Sequence, residues 1–182
     1  LNVRDRDMYL SKNNNNLLRI ISLSKLLKDS VFIIMFREPI NHSFSLLNQH
    51  KNFTEIQKKD SFVKEYMSFL GHYEFGKNIK KINLNKNNEY KDPTTLEYWL
   101  ENWYDVYDFL LTNIKSVNVK FICYEDLCEN PKIYLEKKLK ENKFLYNLNY
   151  NLLINKNKKI EFKSSNLFMK TKKLYDKMRT KD

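Results

Sequence analysis

A chain of 182 residues can bury one sizeable core and is read as one domain, and 42% hydrophobic with 14% aromatic residues excludes a disordered tail. The formal charge of +11 invites a nucleic-acid partner. Lysine is nevertheless spread along the whole chain among abundant Asn, Ile, Phe and Tyr, without the interleaved basic and aromatic residues of a nucleic-acid module, so no nucleic acid is expected. No apolar run approaches the ~18 residues needed to span a membrane, and no signal peptide is visible in a chain that starts at Leu1.

Met8 to Ser11 reads as a short strand, closed by the polar turn Lys12 to Asn16. Leu17, Leu18, Ile20, Ile21, Leu23, Leu26 and Leu27 then recur at helical spacing behind an Asn cap. Val31 to Phe36 is an unbroken apolar run, expected as a central strand covered on both faces and lying beside the strand around Tyr9. Strand, helix and strand within roughly thirty residues make a βαβ unit and predict a parallel sheet.

Pro39 suits the first position of a helix running to about Lys51. Phe62, Val63, Tyr66, Met67 and Leu70 predict another helix over Asp60 to Leu70, ended by Gly71. Lys77 to Lys91 is an Asn/Lys-rich surface loop. Thr94 and Glu97 are spaced as a capping box for a helix burying Leu96, Trp99, Leu100, Trp103, Val106, Leu110 and Ile114. Val119 to Tyr124 reads as a second apolar strand, Pro131 opens a further helix, and Leu167 to Met178 forms the last. The fold class is α/β, a parallel sheet with flanking helices and no internal domain boundary. Cys123 and Cys128 have no metal-ligand spacing and no disulfide framework; free thiols in a reducing, cytoplasmic compartment are expected, with no metal.

The segment that carries chemistry runs from Phe36 to Ser45. A buried strand delivers Arg37 to its carboxyl end, and a helix begins two residues later, which is where ligands bind in open α/β sheets. Arg37 offers a planar fork of donors suited to phosphate oxygens, and the Ser45 hydroxyl follows about two turns into the helix. By spacing alone, the pair is equally an Arg at a strand end and a Ser on a helix surface.

Phe36-Arg37-Glu38-Pro39 with Ser45 eight positions after the Arg resembles the 3′-phosphate motif of the cytosolic-type sulfotransferases and their bacterial relatives. Two further segments resemble that family in the same order: Tyr9-Leu10-Ser11-Lys12 upstream, and Phe121-Ile122-Cys123-Tyr124-Glu125-Asp126-Leu127 followed by Asn130-Pro131. Gln49-His50 and the stretch Leu70 to Gly76 resemble a bacterial branch of it. The resemblance implies a P-loop-like sulfotransferase fold covering residues 1–182 in part. Its co-substrate would be 3′-phosphoadenosine 5′-phosphosulfate, its reaction sulfonate transfer to an unidentified hydroxyl or amine acceptor. Arg37 and Ser45 would hold the 3′-phosphate, Tyr124 would lie near the adenine, and Lys12 would approach the transferred sulfonate.

The departures are specific. The family's glycine-containing 5′-phosphosulfate loop is missing, since Gly71 and Gly76 are the only glycines and neither follows a buried strand. That loop is expected upstream of Leu1. Where many members carry a catalytic His two residues after the Lys, this chain has Asn14, leaving His50 and His72 as candidate bases and His50 as the favoured one. Lys158, Lys159 and Lys163 stand where a basic C-terminal clamp would be, and equally read as a solvated run. Two alternatives remain: a catalytically silent nucleotide- or polyanion-binding relative of the fold, and a basic nucleic-acid-binding protein.

Overall fold

The computed structural model describes residues 10–14, 16–82, 84, 91–114, 117–139, 154–163 and 165–181. The elements in chain order are α1 (Asn16–Leu26), β1 (Phe32–Phe36), α2 (Pro39–Lys59), α3 (Ser61–Phe69), α4 (Leu96–Asn113), β2 (Val119–Cys123), α5 (Tyr124–Glu129), α6 (Pro131–Lys138) and α7 (Asn166–Arg179). β1 and β2 pair in parallel, from Phe32 opposite Val119 to Phe36 opposite Cys123. The architecture is mixed α/β, a small parallel sheet flanked by helices.

α4 organises the core. Thr95 caps it, its Oγ1 accepting the Tyr98 N–H, while the Trp99 indole donates to the Pro93 carbonyl at 2.8 Å. Trp103, Tyr107, Leu110, Leu111 and Ile114 pack with Ile34 and Phe36 of β1, Phe121 and Cys123 of β2, and Leu174, Tyr175 and Met178 of α7. Phe36 sits edge-on to the rings of Tyr107, Phe121 and Tyr175 at 5.6–6.5 Å, a geometry that adds to its area burial. A smaller cluster joins Leu47 of α2 to Tyr98 and Trp99, with Phe75 and Ile79 against it.

Several expectations need correction. β1 is not covered on both faces: Ile34 and Phe36 are buried, but Ile33 is 41% and Met35 55% exposed. Its apolar run reflects β propensity on both sides, while among the described residues helices pack on one side alone. Leu10 and Ser11 are not strand, and Met8 and Tyr9 lie outside the described residues; the neighbour found for β1 is β2. The cap of α4 is Thr95 rather than Thr94, because Asp92 engages both the N–H and the hydroxyl of Thr94 in a turn. α2 runs to Lys59, where Asp60 ends it and caps α3.

Candidate functional site

Because Phe36 stands opposite Cys123 in a parallel pair, the next residue of each strand, Arg37 and Tyr124, emerges at the same carboxyl end. Eighty-seven positions apart in sequence, the two meet with the Arg37 guanidinium carbon 5.0 Å from the centre of the Tyr124 ring. Arg37 Nε donates to Asn157 Oδ1 at 2.6 Å. Among the described residues its two terminal nitrogens make no hydrogen bond, so the outward half of the fork is available to a ligand.

Glu38 is the N-cap of α2. Its carboxylate accepts the Ile40 and Asn41 N–H groups at 3.0 and 2.7 Å, and also the Asn41 side-chain amide. The helix N-terminus is thereby satisfied from within the chain, so an anion here depends on side chains. The Glu38 N–H donates to Glu125 Oε1, tying the end of β1 to the start of α5.

Residues 154–163 cross over this end of the sheet. The Tyr124 hydroxyl donates to the Ile154 carbonyl at 2.8 Å and accepts the Lys156 N–H at 3.1 Å. Asn157 bridges the site, taking Arg37 on its oxygen and giving its amide to Glu125 Oε1 at 2.6 Å. The Lys158 N–H reaches Asn41 Oδ1 at 2.7 Å. The side chains of Lys156, Lys158 and Lys159 are exposed on this segment and form no ion pair among the described residues, which gives the rim a positive field.

Glu125 accepts from Glu38 and Asn157 on one oxygen, and from the Tyr175 hydroxyl and Cys123 thiol on the other. Burial alone would raise its carboxyl, but these donors outweigh burial and hold it below the ordinary value. Burial pushes the Cys123 thiol up to about 11, and it stays protonated at neutral pH. His42, in the first turn of α2, is held down to about 4 by burial and then by the positive charge of Arg37, with Glu125 offsetting part. Its Nδ1 and the Ser43 hydroxyl are buried without a hydrogen-bond partner among the described residues. Unpaired polar atoms of this kind call for a specific explanation.

Arg37 and Tyr124 are therefore brought together. Ser45 is exposed one turn beyond Asn41 on the same face of α2, the face that meets Lys158. It makes no hydrogen bond to Arg37. Lys12 is exposed in the stretch before α1 and is not tied to the cluster. His50 lies about 16 Å along α2 from Pro39. It is buried against the Trp99 ring, its Nδ1 accepting the Gly76 N–H at 3.2 Å, and burial depresses its basicity. His72 is exposed, 3.4 Å from Glu74.

Glu125, Asn157, Asn41 and His42 are the site residues that the sequence reading left without a role. Glu125 had a signal, as an acid in the first turn of a helix directly after a strand; Asn157, in a Lys/Asn run, had none. Among the described residues no group of His, Cys, Asp and Glu side chains is placed to hold a metal ion. No protein-family model, curated protein or solved structure shows a significant match to the chain.

Proposed function

We propose that this chain is part of a sulfotransferase domain that binds 3′-phosphoadenosine 5′-phosphosulfate and directs its sulfonate to a hydroxyl or amine acceptor. The reading rests on the three ordered sequence resemblances. One structural observation supports it: Arg37 and Tyr124, assigned to the 3′-phosphate and the adenine, meet at the carboxyl ends of two register-paired parallel strands. The free nitrogens of Arg37, the Ser45 hydroxyl one turn past Asn41, and the exposed lysines at 156, 158 and 159 supply the donors a phosphate requires.

In the reaction the acceptor oxygen or nitrogen attacks sulfur. The bond between sulfur and the bridging oxygen breaks, adenosine 3′,5′-bisphosphate leaves with the electron pair, and the acceptor proton passes to a base. Anchoring the far end of the nucleotide uses remote binding energy to orient the reacting sulfur. Cations on the sulfonate and bridging oxygens stabilise the developing charge, the part assigned by resemblance to Lys12 and to the glycine-containing loop.

Calorimetry with adenosine 3′,5′-bisphosphate and with adenosine 5′-monophosphate tests the proposal. The bisphosphate is expected to bind at least ~10-fold more tightly, because the 3′-phosphate adds charge-assisted hydrogen bonds. Equal affinities, or no binding of either, would overturn it.

A further inference from the structure

We propose that Asn157 is a positioning residue that sets the plane of the Arg37 guanidinium and keeps the Glu125 carboxylate off it, so that both terminal nitrogens serve the ligand. The inference rests on the reading of Arg37 as the anchor of the 3′-phosphate, and names the residue on which that anchor depends. It starts from the order of three groups. Arg37 Nε donates to Asn157 Oδ1 at 2.6 Å, and Asn157 Nδ2 donates to Glu125 Oε1 at 2.6 Å. Glu125 is ionised at neutral pH, since its donors outweigh burial and hold its carboxyl below the ordinary value. A guanidinium can only donate and an ionised carboxylate can only accept, so the two partners fix which way the amide points.

An arginine and a carboxylate that share a neighbour could pair directly, fork to fork. Here they do not: among the described residues Arg37 forms no ion pair, and its one hydrogen bond goes to the amide. A direct pair would occupy two guanidinium nitrogens and offset the charge that a phosphate needs. The amide between them takes the inner nitrogen alone. Asn157 can hold this place because its own backbone is fixed at three successive N–H groups. The Lys156 N–H reaches the Tyr124 hydroxyl at 3.1 Å, the Asn157 N–H reaches Asn155 Oδ1 at 2.9 Å, and the Lys158 N–H reaches Asn41 Oδ1 at 2.7 Å. Tyr124 is also the ring beneath Arg37, and Asn41 is held by the Glu38 carboxylate that caps α2. The guanidinium is thus supported on its face by a ring and at its inner nitrogen by an amide, both tied to one segment. Ordering a long side chain in advance removes that cost from ligand binding.

Calorimetry with adenosine 3′,5′-bisphosphate and adenosine 5′-monophosphate tests this on the parent, Asn157→Ala, Asn157→Asp, Arg37→Ala and the Arg37→Ala, Asn157→Ala double variant. Asn157→Ala should weaken bisphosphate binding roughly 3–10-fold, because the ligand must then immobilise the arginine itself, and should leave the monophosphate unaffected. Asn157→Asp, of the same size, should weaken the bisphosphate further, since its carboxylate pairs with Arg37 and repels Glu125. In the Arg37→Ala background, Asn157→Ala should have no further effect, because residues that act through one contact are not additive. The Arg37 Nε–H, followed by nitrogen NMR, should exchange slowly with water in the parent and fast in Asn157→Ala. Equal losses for both nucleotides, losses that add in the double variant, or an unchanged Nε–H signal would overturn the proposal. A parent preference for the bisphosphate that survives Asn157→Ala whole removes this inference alone. A parent that binds both nucleotides equally removes the 3′-phosphate reading and this inference with it.

Discussion

The Arg37 guanidinium lies over the Tyr124 ring, 5.0 Å from its centre, because the strands that precede the two residues are paired in register at Phe36 and Cys123. The contact orients a planar cation whose inner nitrogen is already committed to Asn157. The pair is thus preorganised before any ligand arrives, which lowers the cost of binding one.

Replacing Arg37 by Ala should weaken binding of adenosine 3′,5′-bisphosphate at least ~10-fold, and Arg37→Lys should recover only part, since an ammonium cannot reproduce the planar fork. Adenosine 5′-monophosphate should bind the parent and the variants about equally weakly. Calorimetry on both ligands decides the matter. Equal losses for both would remove the phosphate assignment and leave Arg37 a role in folding or general charge.

The α/β alternation, most helices and the buried stripe of α4 were legible because hydrophobic periodicity survives into tertiary structure there. The stripe read from sequence included Leu96 and Val106, which are only partly buried, and omitted Tyr98, Tyr107 and Leu111, which are buried because α4 is packed on more than one side. Coverage of β1 was not legible. An apolar run states what a strand tolerates and does not reveal what packs on each face, and Ile33 and Met35 are exposed. Arg37 could be placed at a strand end from the run before it. Asn157 could not be placed at all, since it lies 120 positions from Arg37 in a segment without periodicity.

His42 predicts an acid limb to stability. Unfolded, it titrates near the ordinary value of 6.5; folded, burial and then Arg37 hold it down to about 4. Between those values the unfolded chain binds more protons, so stability is full above pH 6.5, falls as pH drops toward 4, and levels off below. His50, also depressed by burial, acts in the same direction. Between pH 7 and pH 5 the His42 contribution amounts to about 2 kcal/mol. Urea unfolding at the two pH values should show His42→Leu losing that much less than the parent. Identical losses would mean that His42 is solvated in the folded protein.

Gly71 and Gly76 make a matched pair. Both have positive φ, at 72° and 82°, where any L side chain is strained. A Cβ on Gly71 would meet open space, whereas on Gly76 it would lie 2.7 Å from Gln57 Cδ. Gln57 is buried and holds the Lys77 N–H at 2.7 Å, so its carboxamide cannot withdraw freely. Gly71→Ala should cost ~1 kcal/mol, and Gly76→Ala about 2–4 kcal/mol. Chemical denaturation of the two variants checks the order, and equal costs would show that Gln57 moves aside.

Glu125 is the residue on which the site's framework depends. Its carboxylate accepts the Glu38 N–H at the end of β1, the Asn157 amide of the crossing segment, the Tyr175 hydroxyl of α7 and the Cys123 thiol of β2, at 2.6–3.2 Å. Glu125→Gln keeps the shape but turns one acceptor oxygen into a donor nitrogen facing two donors. It should cost about 1–3 kcal/mol at neutral pH, the usual penalty for leaving buried donors unmatched. The loss should depend on pH in a stated sense. Although burial alone would raise this carboxyl, its donors hold it below the ordinary 4.5, so its contribution is present above 4.5 and is lost as pH falls through the folded value. Gln does not titrate. The stability gap between the parent and Glu125→Gln should therefore be widest at neutral pH and close below pH 4.5, as read from urea midpoints across that range. Parallel curves for the two proteins over the whole range would show that the Glu125 carboxylate is exposed to water and joins nothing.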